Sequence, residues 1–236
     1  MSVPTGAFSA SFYATIGDVP SQADATVTAT FAGTTVSKVL TAVPNVVTSV
    51  IVAPTATLGG SLTLVRGTVT VAATPVSDLV VSLSSDSPCA TPANSTVTIP
   101  AGRAAAYFTV ISHDVSASAV ANLSASRMGT SRSAALTVNP ITLTGFTISP
   151  GTVKGGSITV VKGTVTLSVA PATDFVVSLS SDTPAAASVP ASVTVRAGAR
   201  TAQFAITTYA VPSTIAVPIH ATFHGTTLSV TLNVTH

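Results

Sequence analysis

Several residue types are scarce or missing in this chain. It has no Trp and no Glu, one Cys and three Lys among 236 residues, and all seven acidic residues are Asp. A single Cys, Cys89, excludes an intramolecular disulfide. Because Glu and Lys are among the residues that favour helices, their near absence predicts little helix.

Charge is scarce as well. Only 7% of the residues are charged, and the nine Lys and Arg residues, which leave a net charge of +2, form no run. Nucleic-acid binding requires a basic patch, so we expect no nucleic-acid partner. Apolar stretches are interrupted by Thr, Ser, Gly or Pro before they reach the roughly 18 residues that a membrane-spanning helix needs. The sequence therefore predicts no transmembrane segment.

What the chain does have is a repeat of 96 residues without insertion or deletion. Glycines, a Leu-Ser-Ser-Asp tetrapeptide and single Pro, Phe and Val residues recur at this spacing, and in the first whole copy they are Gly59, Gly60, Gly67, Leu83, Ser84, Ser85, Asp86, Pro88, Gly102, Phe108, Gly129 and Val138. A partial copy precedes them, with Gly6, Phe12, Ala29, Gly33 and Leu40. The repeat predicts three parts: 1–44 as the second half of a unit with its last three strands (E to G), and whole units at 45–140 and 141–236.

Each unit shows short stretches with an apolar residue at every second position, rich in Val, Thr, Ile and Phe and bounded by Gly, Pro, Asp or Asn. This pattern predicts an antiparallel all-β domain. In the first whole unit the predicted strands are 46–52, 62–73 with an interruption near Gly67, 79–85, 96–99, 104–112, 119–127 and 131–138. Seven strands of this size predict a β-sandwich.

Alternation along the strands also predicts the core and the turns. The inward positions are Val69, Val71, Leu79, Val81, Leu83, Ala106, Phe108, Val110, Ala121, Leu123, Ala125, Leu136 and Val138. Gly33, Gly129 and Gly225 each lie between the last two strands of a unit, where a tight hairpin requires a residue that tolerates positive φ.

The chain also resembles a known family. Residues 179–187 (LSSDTPAAA), 192–195 (SVTV), 204–208 (FAITT) and 221–227 (ATFHGTT), with their counterparts in the other copies, are similar to the tandem bacterial immunoglobulin-like repeats of large secreted and cell-surface proteins. The resemblance covers both whole units and the half-unit. It implies seven-stranded immunoglobulin-like β-sandwiches arranged end to end and preceded by a half-domain, at an extracellular or cell-surface location.

The sequence offers no constellation typical of an enzyme. His220 and His224 have a metal-like spacing for a helix, but on a strand they would lie ~13 Å apart and could not share one ion. His113 and His236 have no His at the equivalent positions of other copies. We therefore expect no catalytic residues, no cofactor and no enzymatic activity.

The Asp residues leave one alternative open. The favoured interpretation is that they bond backbone groups in turns. However, Asp86 and Asp114 should lie at the trailing end of the unit 45–140, and Asp174 at the leading end of the unit 141–236. A Ca²⁺ ion at that junction, held by Asp86, Asp114 and Asp174, is the alternative, because hard cations favour clustered carboxylates.

The arrangement of the repeats therefore indicates a function more clearly than any set of reactive or metal-binding residues does. Proline at Pro44 and Pro140, without a Gly/Ser linker, predicts stiff junctions and a rod. We expect a non-catalytic stalk, fibre segment or adhesin spacer of an extracellular bacterial surface protein or filament. The alternative is a module that binds glycans or a host surface, attached to a secreted enzyme or a phage particle.

The half-unit raises a question about partners. Three strands with apolar faces are marginal alone, so we expect 1–44 to be covered, either by neighbouring repeats of a longer chain or by another copy of the chain. The first expectation treats 1–236 as an excerpt, and the second as a processed subunit. A surface glycan is the other partner considered.

Overall fold

The structure is a computed structural model that describes residues 2–236, and these residues form twenty strands and no helix. None of their segments could therefore cross a membrane as a helix. The strands are β1 (Ala23–Phe31), β2 (Thr34–Ala42), β3 (Val47–Ala53), β4 (Ala56–Leu58), β5 (Val65–Val71), β6 (Leu79–Ser85), β7 (Ala90–Pro92), β8 (Thr96–Ile99), β9 (Ala105–Ser112), β10 (Ala119–Arg127), β11 (Thr130–Asn139), β12 (Leu143–Ser149), β13 (Thr152–Lys154), β14 (Val161–Leu167), β15 (Phe175–Ser181), β16 (Ala187–Ser188), β17 (Ser192–Val195), β18 (Thr201–Thr208), β19 (Ile215–Phe223) and β20 (Thr226–Thr235).

Strands β3 to β11 form two sheets. One has the order β3-β5-β9-β7 and the other β4-β11-β10-β6-β8. Apart from β4, which pairs in parallel with β11, the neighbours are antiparallel. This is the strand order of an immunoglobulin-like β-sandwich, with an A-B-E-D sheet facing a G-F-C sheet that carries additional edge strands.

Strands β12 to β20 repeat the arrangement. Their sheets have the orders β12-β14-β18-β16 and β13-β20-β19-β15-β17, and β13 pairs in parallel with β20. Since every strand has its counterpart in the first set, the chain folds the same 96-residue pattern twice in the same topology.

The core lies between the two sheets of each set. In the region 45–140 two adjacent clusters combine residues from both sheets, and in the region 141–236 a single cluster does so. Eleven of the thirteen predicted core residues of the first set are buried, while Ala106 and Phe108 are half-buried and pack against the clusters. The predicted alternation is therefore confirmed.

The boundaries of the second predicted strand were wrong. The ladder from Val65 to Val71 continues through Gly67, and the break comes earlier, between Leu58 and Val65. Gly67 lies opposite Phe108 on β9, and the Phe ring occupies the space where a side chain at Gly67 would lie. The repeated glycine therefore serves packing rather than strand interruption. Sequence alternation also missed the short strands β4 and β7.

The N-terminal region differs from the prediction too. Only the hairpin β1–β2 forms, whereas the expected strand around Phe12 is absent from the region 2–44. Its counterpart β9 pairs with β5 on one side and β7 on the other, and the region 2–44 contains no counterpart of either. Without those partners the segment has no ladder to join. Met1, which belongs to the predicted half-unit, lies outside the described residues.

All three terminal hairpins turn in the same way. Gly33, Gly129 and Gly225 have φ of 81°, 74° and 76°, as predicted. The residues before them, Ala32, Met128 and His224, also have positive φ. Positive φ at both central residues defines the two-residue type I′ hairpin, whose twist matches that of the flanking strands.

Candidate functional site

The structural feature that most bears on function is the junction between the regions 45–140 and 141–236. The carbonyl of Gly60 accepts the N–H of Ala172 at 2.6 Å, and Ser61 forms a β-bridge with Pro171. The side chain of Leu58 packs against the core cluster of the region 141–236. The two regions therefore meet through a backbone hydrogen bond, an isolated β-bridge and an apolar contact, with the linker residue Ile141 fully buried.

A carboxylate and an imidazole add a polar contact at this junction. Nε2 of His224 lies 3.1 Å from Oδ2 of Asp114, and Nδ1 lies 3.2 Å from the carbonyl oxygen of Ile141. The His224 side chain is 16% exposed. It comes from the β19–β20 turn, while Asp114 follows β9, so the contact joins the two repeats.

A similar contact lies at the preceding junction. Arg127, at the end of β10, donates one guanidinium N–H to the carbonyl of Asn45 at 2.6 Å and forms a bidentate pair with the carboxylate of Asp18. The Arg127 side chain is 9% exposed. This ion pair between the N-terminal region and the region 45–140 is bidentate and largely screened from solvent, the arrangement in which a charged hydrogen-bonded pair is strong.

The carboxylates of the calcium hypothesis are not gathered at one point. Asp114 and Asp174 line the same junction cavity as His224, whereas Asp86 does not line it. Instead, Asp86 accepts hydrogen bonds from the side-chain amide and the backbone N–H of Asn122, each at 2.7 Å. Within the region 2–236, no three His, Cys, Asp or Glu side chains form a group that could hold a metal ion.

Hydrogen bonds explain the charge states of two of these carboxylates. The side-chain amide of Asn122, followed by its backbone N–H, lowers the pKa of Asp86. The backbone N–H of Ala197 lowers the pKa of Asp174, with a further contribution from Arg196 at 2.9 Å. Asp78 accepts the equivalent N–H of Ala101 at 2.9 Å. Asp78 and Asp174 thus each bond the backbone of a turn, as the favoured sequence interpretation expects, whereas Asp86 bonds a residue within β10.

One polar cluster was not predicted from the sequence. Nε2 of His220 lies 2.9 Å from Oδ1 of Asp182, and Nδ1 lies 2.6 Å from Oγ of Ser229, so Asp, His and Ser form a hydrogen-bonded line. His220 faces Ser229 across the β19–β20 ladder, and β15 brings Asp182 alongside. The signal was available only from strand pairing, since 38 residues separate Asp182 from His220. The line lies on an exposed sheet face, and these residues line none of the cavities at the junctions.

Comparisons with known proteins give structural neighbours only. No family model and no curated protein matches this chain. The D0-D1 domain of intimin is 13% identical, covers 81% of this chain and 100% of its own, and has a TM-score of 0.35.

Two further solved structures are similar. A C-terminal 282-residue fragment of intimin, in complex with the intimin-binding domain of the translocated intimin receptor, is 18% identical with a TM-score of 0.36. The match covers 80% of this chain and 64% of that one. Domains 5-6 of the S-layer protein SbsC are 16% identical over 81% of this chain and 98% of that chain, with a TM-score of 0.27. Identities and TM-scores are low, so the immunoglobulin-like fold of this chain is assigned from its own strand order.

Proposed function

We propose that this chain is a non-catalytic structural module, a spacer built of immunoglobulin-like repeats, in an extracellular bacterial surface protein or filament. The observation that carries the proposal is the direct junction between consecutive repeats, each with a core of its own. The features that the repeats have in common are a closed core and a fixed connection to the neighbouring repeat. Such repeats hold the parts on either side of them at a set distance. The extracellular bacterial setting comes from the sequence resemblance to surface-protein repeats.

The linkers support a stiff connection. Ile141 is fully buried in the linker between the regions 45–140 and 141–236, and Val47, the first residue of β3, is fully buried directly after the first linker. Proline at Pro44 and Pro140 fixes φ and restricts the preceding residue. A chain that enters each repeat through a buried residue has little freedom to hinge there.

Imaging tests the proposal. Negative-stain electron microscopy and small-angle scattering of the chain should give an elongated particle whose length falls by about half when residues 141–236 are removed. The matched measurement is the cross-section, which should stay the same in both forms. A single compact particle would contradict the proposal.

A second candidate is a module that binds a glycan or a host surface. The observation in its favour is Tyr107, which is 64% exposed on β9 and carries the guanidinium of Arg66 4.5 Å from its ring centre. An exposed aromatic beside a cation is a common element of carbohydrate recognition. A glycan array distinguishes the candidates: binding that is lost in Tyr107→Ala and retained in Tyr209→Ala would favour the binding module.

We also propose that the β1–β2 hairpin is covered by strands equivalent to β3, β4, β5 and β6, supplied by a neighbouring repeat or by a second copy of the chain. Its apolar side chains, including Phe31 and Val36, are exposed, while the equivalent hairpin β10–β11 is covered on both edges by β6 and β4. Light scattering over a concentration series should show association that Phe31→Ser weakens. A chain that stays monomeric at all concentrations excludes a second copy, and resistance of the lone hairpin to protease would contradict the proposal.

A further inference from the structure

The polar contacts at the two junctions involve equivalent positions. Asp114 lies 96 residues after Asp18, and Ile141 lies 96 residues after Asn45. In each case a carboxylate from one repeat and a backbone carbonyl at the start of the next share one basic side chain. That side chain is Arg127 at the first junction and His224 at the second.

The basic residue itself is not at an equivalent position. His224 corresponds to Met128, and Arg127 corresponds to Phe223. Both nevertheless belong to the terminal hairpin, Arg127 just before the turn and His224 within it. The same pair of acceptors is therefore bound from two neighbouring positions of the turn. Such a shift is expected when the fold requires a basic side chain in contact with both acceptors, but not at one fixed position of the turn.

We propose that the leading end of each repeat is a docking surface for the trailing end of the preceding repeat, and that the Asp–base–carbonyl bridge fixes the orientation of the two. The partner is thus a second immunoglobulin-like repeat that presents a carboxylate at the position of Asp114. This inference deepens the proposed spacer function and rests on it.

The two bridges differ in chemistry. Asp and carbonyl oxygens are both acceptors, so a ring that bonds to both must carry protons on both nitrogens, and His224 completes its bridge only as imidazolium. The guanidinium of Arg127 has enough N–H groups at any ordinary pH. The other charged groups near His224 are Asp174, which lines the same cavity, and its partner Arg196. The two bases therefore form the same bridge only when each presents N–H groups to both acceptors.

Spin labels can measure the orientation. Cysteines at the exposed, equivalent positions Thr109 and Ala205 carry the labels, and Cys89 is replaced by Ala, as found at position 185. The distance between the labels should be narrowly distributed in the wild type, because the bridge fixes the orientation of the two repeats. Asp114→Ala should broaden the distribution, and His224→Arg, which offers N–H groups to both acceptors, should keep it narrow.

The controls separate folding from docking. Thermal melting of Asp114→Ala and His224→Arg reports whether each repeat remains folded, and Arg196→Ala, next to the cavity but outside the bridge, should leave the wild-type distance distribution unchanged. Equal distributions in the wild type and Asp114→Ala would overturn the inference. An elongated particle with such unchanged distances would leave the spacer function standing, whereas a compact particle would remove both.

Discussion

At Gly67 and Gly163 the residue opposite on the neighbouring strand is a Phe, Phe108 and Phe204 respectively. In both repeats the Phe ring lies over the glycine, and any Cβ there would overlap the ring. Cross-strand pairing of Gly with an aromatic ring is a packing solution that a strand can adopt when the ring needs room. Period-two alternation cannot reveal it, because the glycine itself has no side chain to place.

Gly67→Ala should therefore destabilise the region 45–140 by about 1–3 kcal/mol, the typical cost of inserting a methyl group into a packed site. Urea denaturation would measure it. Gly151→Ala is the matched control, since nothing lies within 4 Å of a Cβ at Gly151. Equal stability of the two variants would show that the Phe108 ring can move aside.

The lowered pKa of Asp86 leads to a pH dependence. The Asn122 side-chain amide, and then its backbone N–H, favour the ionised carboxylate in the folded state. A pKa that is lower in the folded than in the unfolded state stabilises the fold above the ordinary carboxyl pKa, and this contribution is lost as pH falls through the lowered value. Asn122→Ala should lower stability near neutral pH and have a smaller effect in strong acid.

Urea midpoints of the wild type and Asn122→Ala, followed from about pH 7 to about pH 2, would measure this difference. Asp86→Asn provides the second arm of a double-mutant cycle, and the two changes should not add, because each removes the same contact. A constant difference between the variants at every pH would contradict the assignment.

At the scale of elements, the turn of each terminal hairpin contains one residue that adopts positive φ easily and one that does not. Gly129 adopts positive φ without strain, whereas Met128 adopts φ of 49° with a full side chain. Met128→Asn should stabilise the protein by about 1 kcal/mol, because Asn visits this region far more readily than Met. The urea midpoint would report the gain. Met128→Leu, which keeps the penalty, should show none, and a matching gain in both variants would refute the explanation.

The elements also show what sequence can and cannot predict. Leu79, Val81 and Leu83 follow strict alternation within one long strand, so both the strand and its inward face were predicted. Strands β4 and β7 have only three residues each, too few for a period to be recognised. The strand around Phe12 was predicted from its likeness to β9, but a strand needs hydrogen-bonded neighbours as well as the right residues.

The junction contacts were beyond sequence analysis for a related reason. Asp18 and Arg127 are 109 residues apart, and Asp114 and His224 are 110 apart. The 96-residue spacing relates the two carboxylates to each other, but the bases lie one position out of step. A comparison of equivalent positions therefore identifies the two carboxylates but not the basic residues that bind them.

At the scale of the whole molecule, the junction makes the stability of one repeat depend on its neighbour. Leu58 packs on the core of the region 141–236, whereas the equivalent residue at the next trailing end is Lys154. Leu58→Lys should lower the melting temperature of the region 141–236 by removing about 1 kcal/mol of apolar burial. Scanning calorimetry would separate the transitions.

Leu62→Lys is the matched control for this change, because Leu62 lies nearby and is 64% exposed. It should leave both transitions where they are. If Leu58→Lys and Leu62→Lys gave identical traces, the apolar contact across the junction would contribute nothing to stability.

The parallel pairing of β4 with β11 has a mechanical consequence. The chain enters this sandwich through β3, continues directly into β4 and leaves from the end of β11, and β4 and β11 run side by side over Ala56, Thr57 and Leu58. Traction on the two chain ends along the axis would slide these strands past each other, so their backbone hydrogen bonds would bear the load together instead of parting in succession. The β13–β20 pair repeats this geometry, and each repeat in the series would resist stretching by shear.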